Sequence, residues 1–222
     1  MAARAGDRGS GTLTRVQRGL EALYRVDTGV EVGDFMLDEA ARDELAPQRR
    51  PREQLLAYEN PAGEMSLGLY IHPAALANLA ANDPGRQLGE HNLGDFLLAI
   101  EGVSHFIYTV CCARAERPLS QLELELQAEV DKYVTCLLAT DPERGVSETL
   151  RRRLFADCEY DSDLDSEEGD RYRAANDNAH RYATWLEGAF VAKRKIPEML
   201  GELRRFYREG LASKLSHISR AA

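Results

Sequence analysis

Several signals that assign a function at sight are missing from these 222 residues. No GxxxxGK[ST], GxGxxG, HExxH or GxSxG pattern occurs, so the common phosphate-loop, dinucleotide, zinc-protease and serine-hydrolase fingerprints are excluded. The four cysteines, Cys111, Cys112, Cys136 and Cys158, contain no CxxC pair. Adjacent residues on a helix point about 100° apart, so Cys111 and Cys112 are read as small apolar residues in a reducing compartment. No apolar run approaches the roughly 18 residues of a membrane helix, and residues 1–11 have no apolar core of a secretory signal. These absences lead to the expectation of a soluble, cytoplasmic protein with no membrane partner.

Basic residues are also unevenly supplied. The net charge is −9, and Asp157–Asp170 holds eight acids and no base. That leaves the rest of the chain near neutrality, so nucleic acid is not an expected partner, since binding its backbone needs a clustered positive field. Residues 193–220 are basic, with a net +5, and Arg151, Arg152 and Arg153 stand just before the acidic stretch. The stretch reads as a mobile, dispensable loop over 157–170, because high charge with low hydrophobicity resists folding. Asp161, Asp163 and Asp165 imitate the opening of a calcium loop. Ser166 and Tyr172 stand where such a loop requires glycine and glutamate, which removes that reading.

What is present is mostly helical patterning. Residues 1–11 read as a disordered lead-in and 12–222 as a single helical domain, with Thr12 or Thr14 capping a first helix that carries Val16, Leu20 and Leu23. A short helical stretch follows near 37–45, and another begins at Pro73. Asn92 is expected to cap a long helix, and Ser120 to cap one reaching Ala139, with Glu123 completing a capping box. Ser147 should cap a short helix to Phe155. Further helices are expected over 170–192 and from Pro197 through Ile218. The exception is 53–72, where Leu55, Ala57 and Glu59 alternate with Leu56 and Tyr58. Met65, Leu67, Leu69 and Ile71 then alternate with Ser66, Gly68 and Tyr70. Asn60-Pro61-Ala62-Gly63 between them has type I turn chemistry. The fold class is therefore mainly α, a helical bundle with one appended antiparallel β-hairpin packed by one face on helices.

Chemistry-bearing residues fall on three helices. In the helix from 92, Glu101, Ser104, His105, Tyr108 and Cys112 form one stripe, opposite Leu93, Phe96, Ile100, Val103, Ile107 and Val110. A helix apolar almost all round is a buried one, so Glu101 and His105 are expected inside. Glu125 and Glu129 share a stripe in the helix from 120, and Asn176, His180 and Glu187 in the helix from 170. Facing carboxylates and imidazoles are how bundles hold divalent metals, which makes Glu101, His105, Glu129 and His180 candidate ligands. Glu101, His105, Glu125, Glu129 and His180 are together the candidate acid–base residues. The spacing Glu101-Gly-Val-Ser-His105 is one residue longer than the Glu-x-x-His of di-iron bundles, and it is not repeated. The more ordinary reading is a hydrogen-bonded network fixing helix register, with Glu125 and Glu129 on a solvated flank. The functional expectation is accordingly a non-enzymatic binding or regulatory protein that presents helical faces to a protein partner. The alternative is a metal-dependent or acid–base enzyme with its site in the bundle.

Overall fold

The computed structural model describes residues 5–48, 50–140, 144–156 and 166–221. It is mainly helical, with one two-stranded antiparallel sheet. Nine α-helices run among the described residues: α1 (Ala5–Tyr24), α2 (Glu39–Leu45), α3 (Pro73–Ala81), α4 (Leu93–Arg114), α5 (Gln121–Ala139), α6 (Arg144–Arg151), α7 (Ser166–Ala189), α8 (Ile196–Arg208) and α9 (Leu211–Ala221). The strands are β1 (Glu53–Glu59) and β2 (Met65–Ile71). Contacts gather the chain into two compact units. One holds residues 1–21 and 27–110, the other 22–26 and 111–222.

In the first unit the hairpin forms where the alternation places it. Glu53 pairs with Ile71, Leu55 with Leu69 and Glu59 with Met65. The turn closes by Gly63 N donating to Asn60 O at 2.9 Å, while the Asn60 side chain accepts from the backbone N–H groups of Ala62 and Glu64. Gly63 has φ of +81°, a conformation that glycine adopts at no steric cost.

Burial along the hairpin does not follow the expected single face. It is graded along the strands instead, so that Gly68, Leu69, Tyr70 and Ile71 are all buried while Ala57, Tyr58, Glu59 and Met65 are exposed. Both faces are covered at the base. On one, Leu69 lies against Gly102 of α4. On the other, Leu37 packs over Gly68, and the buried Arg42 guanidinium sits 4.2 Å above the Tyr70 ring. Leu37 also donates its N–H to Leu69 O at 2.8 Å. It is therefore extended chain, and the helix begins after it, with Asp38 accepting from Ala41 N.

Several boundaries depart from the sequence expectations. α1 starts at Ala5, well before Thr12, so residues 5–11 are its opening turns. Asn92 precedes α4, but its side chain binds the loop before the helix, accepting from Gly89 N and donating to Asn82 O and Gln87 O. In the second unit Ser120 caps α5 as expected, accepting from Glu123 N at 3.2 Å. Ser147 lies inside α6 and makes side-chain bonds there instead of capping. α7 starts at Ser166, so 166–170 are helical and not loop; the rest of the expected mobile loop, 157–165, lies outside the described residues. The last expected helix is two, because Glu209 is extended (ψ 143°) and the chain turns at Gly210 before α9.

α4 also corrects the expectation about long apolar runs. It is long and apolar enough to cross a membrane by length and composition, with a mean hydropathy of 1.6 over an 18-residue window. Two thirds of that window (67%) is buried inside the protein, the pattern of a core helix.

Candidate functional site

His105 is the best-built of the candidates. α4 presents Glu101 and His105 one turn apart on one face, with their ligand atoms within 4.8 Å of each other. His105 is buried, at 4% exposure, and Glu101 is half-buried. Opposite His105 in the same unit stands Glu53, the first residue of β1, whose Oε1 is 3.5 Å from His105 Nδ1. The reason it reaches so far is Gly102. A Cβ there would lie 3.1 Å from Glu53 Oε1 and 3.0 Å from Leu69 Cδ1, so these two side chains rest directly on the helix backbone. An imidazole and carboxylates so gathered can pass a proton or hold a divalent cation.

The sequence reading named Glu101 and His105 but missed Glu53. It falls where β1 begins, and its pairing partner is 52 residues away, so no local pattern announces it. Gly102 within an apolar helix was the only available signal, since an interior glycine often marks a close approach of backbone.

The remaining candidates belong to the second unit and do not form one group there. Glu125 is buried, contrary to the expected solvated flank. Glu129 is half-buried, and its carboxylate accepts from Lys132 Nζ at 2.6 Å. Among the described residues, neither Glu129 nor His180 joins a set of three carboxylate, imidazole or thiol ligands. His180 instead stacks on Phe155 (ring centroids 5.5 Å apart) and faces Arg151 Nη1 at 3.4 Å. Burial, with the neighbouring guanidinium, holds its pKa below the usual imidazole value.

Arg151 is itself fixed. It donates to Glu187 through Nε (3.0 Å) and Nη2 (3.3 Å), and to Thr184. Glu187 also accepts from Ser147 at 2.7 Å, and Ser147 shares a 2.7 Å bond with Tyr133, whose hydroxyl burial pushes up to about 12. These groups tie α5, α6 and α7 together. Charge-assisted bonds of this kind fix geometry, and the carboxylate is already spoken for. The sequence reading placed Glu187 on the correct stripe and missed Arg151 as its counter-ion.

The described cysteines, Cys111, Cys112 and Cys136, are free thiols. Burial pushes Cys136 up to about 12, which makes it a packing residue and a poor nucleophile. No family model, curated protein or solved structure matches this chain.

Proposed function

We propose that the chain is a binding protein whose β1–β2 arm engages a protein partner. The observation that carries this reading is the outer half of the arm. Tyr58 is 65% exposed and Met65 39% exposed, on opposite faces of the hairpin. Aromatic residues and methionine are enriched at the centres of interfaces, and a tyrosine of such exposure is an anchor awaiting a pocket. The outer part of the arm carries two exposed glutamates, Glu59 and Glu64, and the stretch from Glu53 to Ile71 holds no base. A partner segment rich in lysine or arginine answers that charge. The sequence expected helical faces to be the binding surface; of the exposed large apolar side chains among the described residues, Tyr58 and Met65 are both on the arm, whereas Leu45 and Leu138 stand singly on α2 and α5, which favours the hairpin.

The test is in-cell photo-crosslinking from a benzoyl-phenylalanine placed at Tyr58, with the same group at Glu198, exposed on α8, as control. A discrete protein adduct from the arm and not from α8 supports the reading, and the adduct should fade when Met65 is also changed to Ser. Equal adducts from both positions, or none, would overturn it.

A second reading, a divalent-metal or acid–base enzyme, is favoured by the approach of Glu53 and Glu101 to His105. Elemental analysis of the purified chain distinguishes the two. Stoichiometric metal that is lost in Glu101→Leu with His105→Leu supports the enzyme. Absence of metal from a folded wild-type chain, with the double variant equally stable, supports a structural pair.

A further inference from the structure

We propose that the pocket between the end of α7, α8 and α9 is a binding site for a small flat-ring molecule bearing a carboxylate or phosphate. The pocket has a volume of about 330 Å³ and is lined by Trp185, Arg205, Glu209, His217, Arg220 and Ala221, all in the second unit. Ligand sites begin at about 300 Å³, so the space suits one small molecule.

The site exists because the chain breaks at Glu209-Gly210 and α9 returns beside α8. That return brings His217 between two carboxylates: Nε2 is 2.9 Å from Glu202 Oε1, and Nδ1 is 3.3 Å from Glu209 Oε2. The imidazole side chain is only 9% exposed. Three rings meet it nearly edge-on, those of Tyr182, Trp185 and Phe206, with centroids 5.7–5.9 Å away. Glu202 takes a further bond from Arg205 at 2.6 Å. This floor is rigid, with each polar group held by a neighbour, which is what a binding site needs to keep its shape.

Charge is arranged directionally. The carboxylates turn inward to the imidazole, with the Glu202 side chain 9% exposed and that of Glu209 24%. The guanidiniums stand at the rim: Arg220 is exposed, and Arg205, its side chain 64% exposed, keeps one nitrogen on Glu202. An arriving ligand therefore meets two planar cations at the rim and an indole wall beside them. Guanidinium matches the two oxygens of a carboxylate or phosphate, and an indole suits a flat ring. An oxyanion attached to an aromatic ring satisfies both demands at once.

Trp185 is the chain's single tryptophan, so its emission reports on this pocket alone. The experiment is a fluorescence titration of the full chain, excited at 295 nm, with two probes: AMP for a phosphate on a base, and benzoate for a carboxylate on a ring. Inorganic phosphate and adenosine serve as the separated halves. A saturable change with AMP or benzoate, at least tenfold weaker with either half, is expected. Arg220→Ala should weaken binding at least fivefold, and Arg205→Lys, which retains charge without the planar fork, should weaken it as well. A linear response to both probes, or equal affinity in wild type and Arg220→Ala, overturns the proposal. Circular dichroism of each variant confirms that a loss of binding is not a loss of fold. The preferred probe then separates a phosphate source from a carboxylate one.

Discussion

The two units bury charge in different ways. In the first, the buried ionisable side chains sit in compact contacts, His105 against Glu53 and Arg42 against Asp43 with its guanidinium over Tyr70, and the linked group of Gln17, Glu21 and Thr28 is local to α1 and the loop after it. The second draws several polar groups into one chain. There Tyr24 donates to Asp131, Gln127 donates to Asp131 at 2.8 Å, and Lys214 donates to Gln127 at 2.7 Å. Tyr24, Gln127, Asp131 and Lys214 are each at most 1% exposed. Tyr24 also stacks on Tyr207 at 4.0 Å, and Lys214 Nζ lies 5.0 Å from the Phe206 ring centre. A pair fails by itself when one partner is removed. A linked chain of bonds fails as a unit, because each remaining group is left in a place water cannot reach. The second unit should therefore be the more fragile to a single polar deletion, and the more sensitive to pH.

The largest effect should come from Asp131→Ala. It removes the acceptor shared by Tyr24 and Gln127 and strips a negative charge from the neighbourhood of Lys214. Breaking a buried charged network by removing one member costs about 3–5 kcal/mol. Denaturant unfolding should show that loss, while Glu53→Gln in the first unit should cost under half as much. Comparable losses would erase the contrast between the units.

Lys214 sharpens the comparison through pH. Burial lowers its pKa to about 7, against the opposing pull of Glu123 and Asp131. The unfolded chain, with lysine at its ordinary value near 10.4, binds a proton that the folded chain releases as pH rises through 7. Stability therefore rises with pH between about 7 and 8.5, at up to roughly 1.4 kcal/mol per unit from this group. Above that window the buried thiols Cys112 and Cys136 act in the opposite sense, since burial raises their pKa values. Lys214→Met should flatten the rise. Melting temperatures at half-unit pH steps test it, and an unchanged slope in the variant would show that Lys214 is not its source.

Gly102→Ala probes the pair in the first unit. The added methyl would stand 3.0 Å from Leu69 Cδ1 and 3.1 Å from the Glu53 carboxylate, tighter than most Cβ contacts, so those neighbours must give by a few tenths of an ångström. The Glu53 side chain must then move, and with it its carboxylate relative to His105. Overpacking costs about 1–3 kcal/mol, and one methyl belongs at the lower end. The carbon-13 shifts of the His105 ring should move in the same variant. A variant with wild-type stability and an unmoved ring would mean that the Glu53 and Leu69 side chains are not seated on the helix.

How much of this was legible follows from the range of the interactions. The hairpin was legible because both its signals are local, an alternation of period two and a four-residue turn. The Ser120 cap was legible because its partner lies three residues on. Glu53 was not, since its meeting with His105 depends on which face the folded hairpin turns to α4. In sequence, Lys214 and His217 sit within a basic segment. Their burial depends on the turn at Gly210, where apolar spacing runs on unbroken from Leu203 through Phe206 to Leu211 and Leu215, and so read as one helix. The graded burial of the arm was hidden for a similar reason. Period-two alternation reports faces, and here tertiary cover decides along the length of the strand instead.

The effect least tied to either polar interior should come from Gly63→Val, at the tip of the arm. A Cβ there would meet nothing within 4 Å, so packing contributes no penalty. The cost is conformational. φ is +81°, and a β-branched residue in that region crowds its own carbonyl. The left-handed conformation costs about 1–2 kcal/mol for a residue with a Cβ, so that is the expected loss in denaturant unfolding. Because nothing titratable is displaced, the loss should be the same at pH 6 and pH 8.5. Gly63→Asn should recover part of it, since asparagine tolerates this region. A loss that grows toward low pH would link the arm to buried charge, and the tip would then no longer be a neutral reference for the two units. If Gly63→Val instead left stability untouched while Tyr58 crosslinking disappeared, the turn would matter for presenting the arm more than for holding it together.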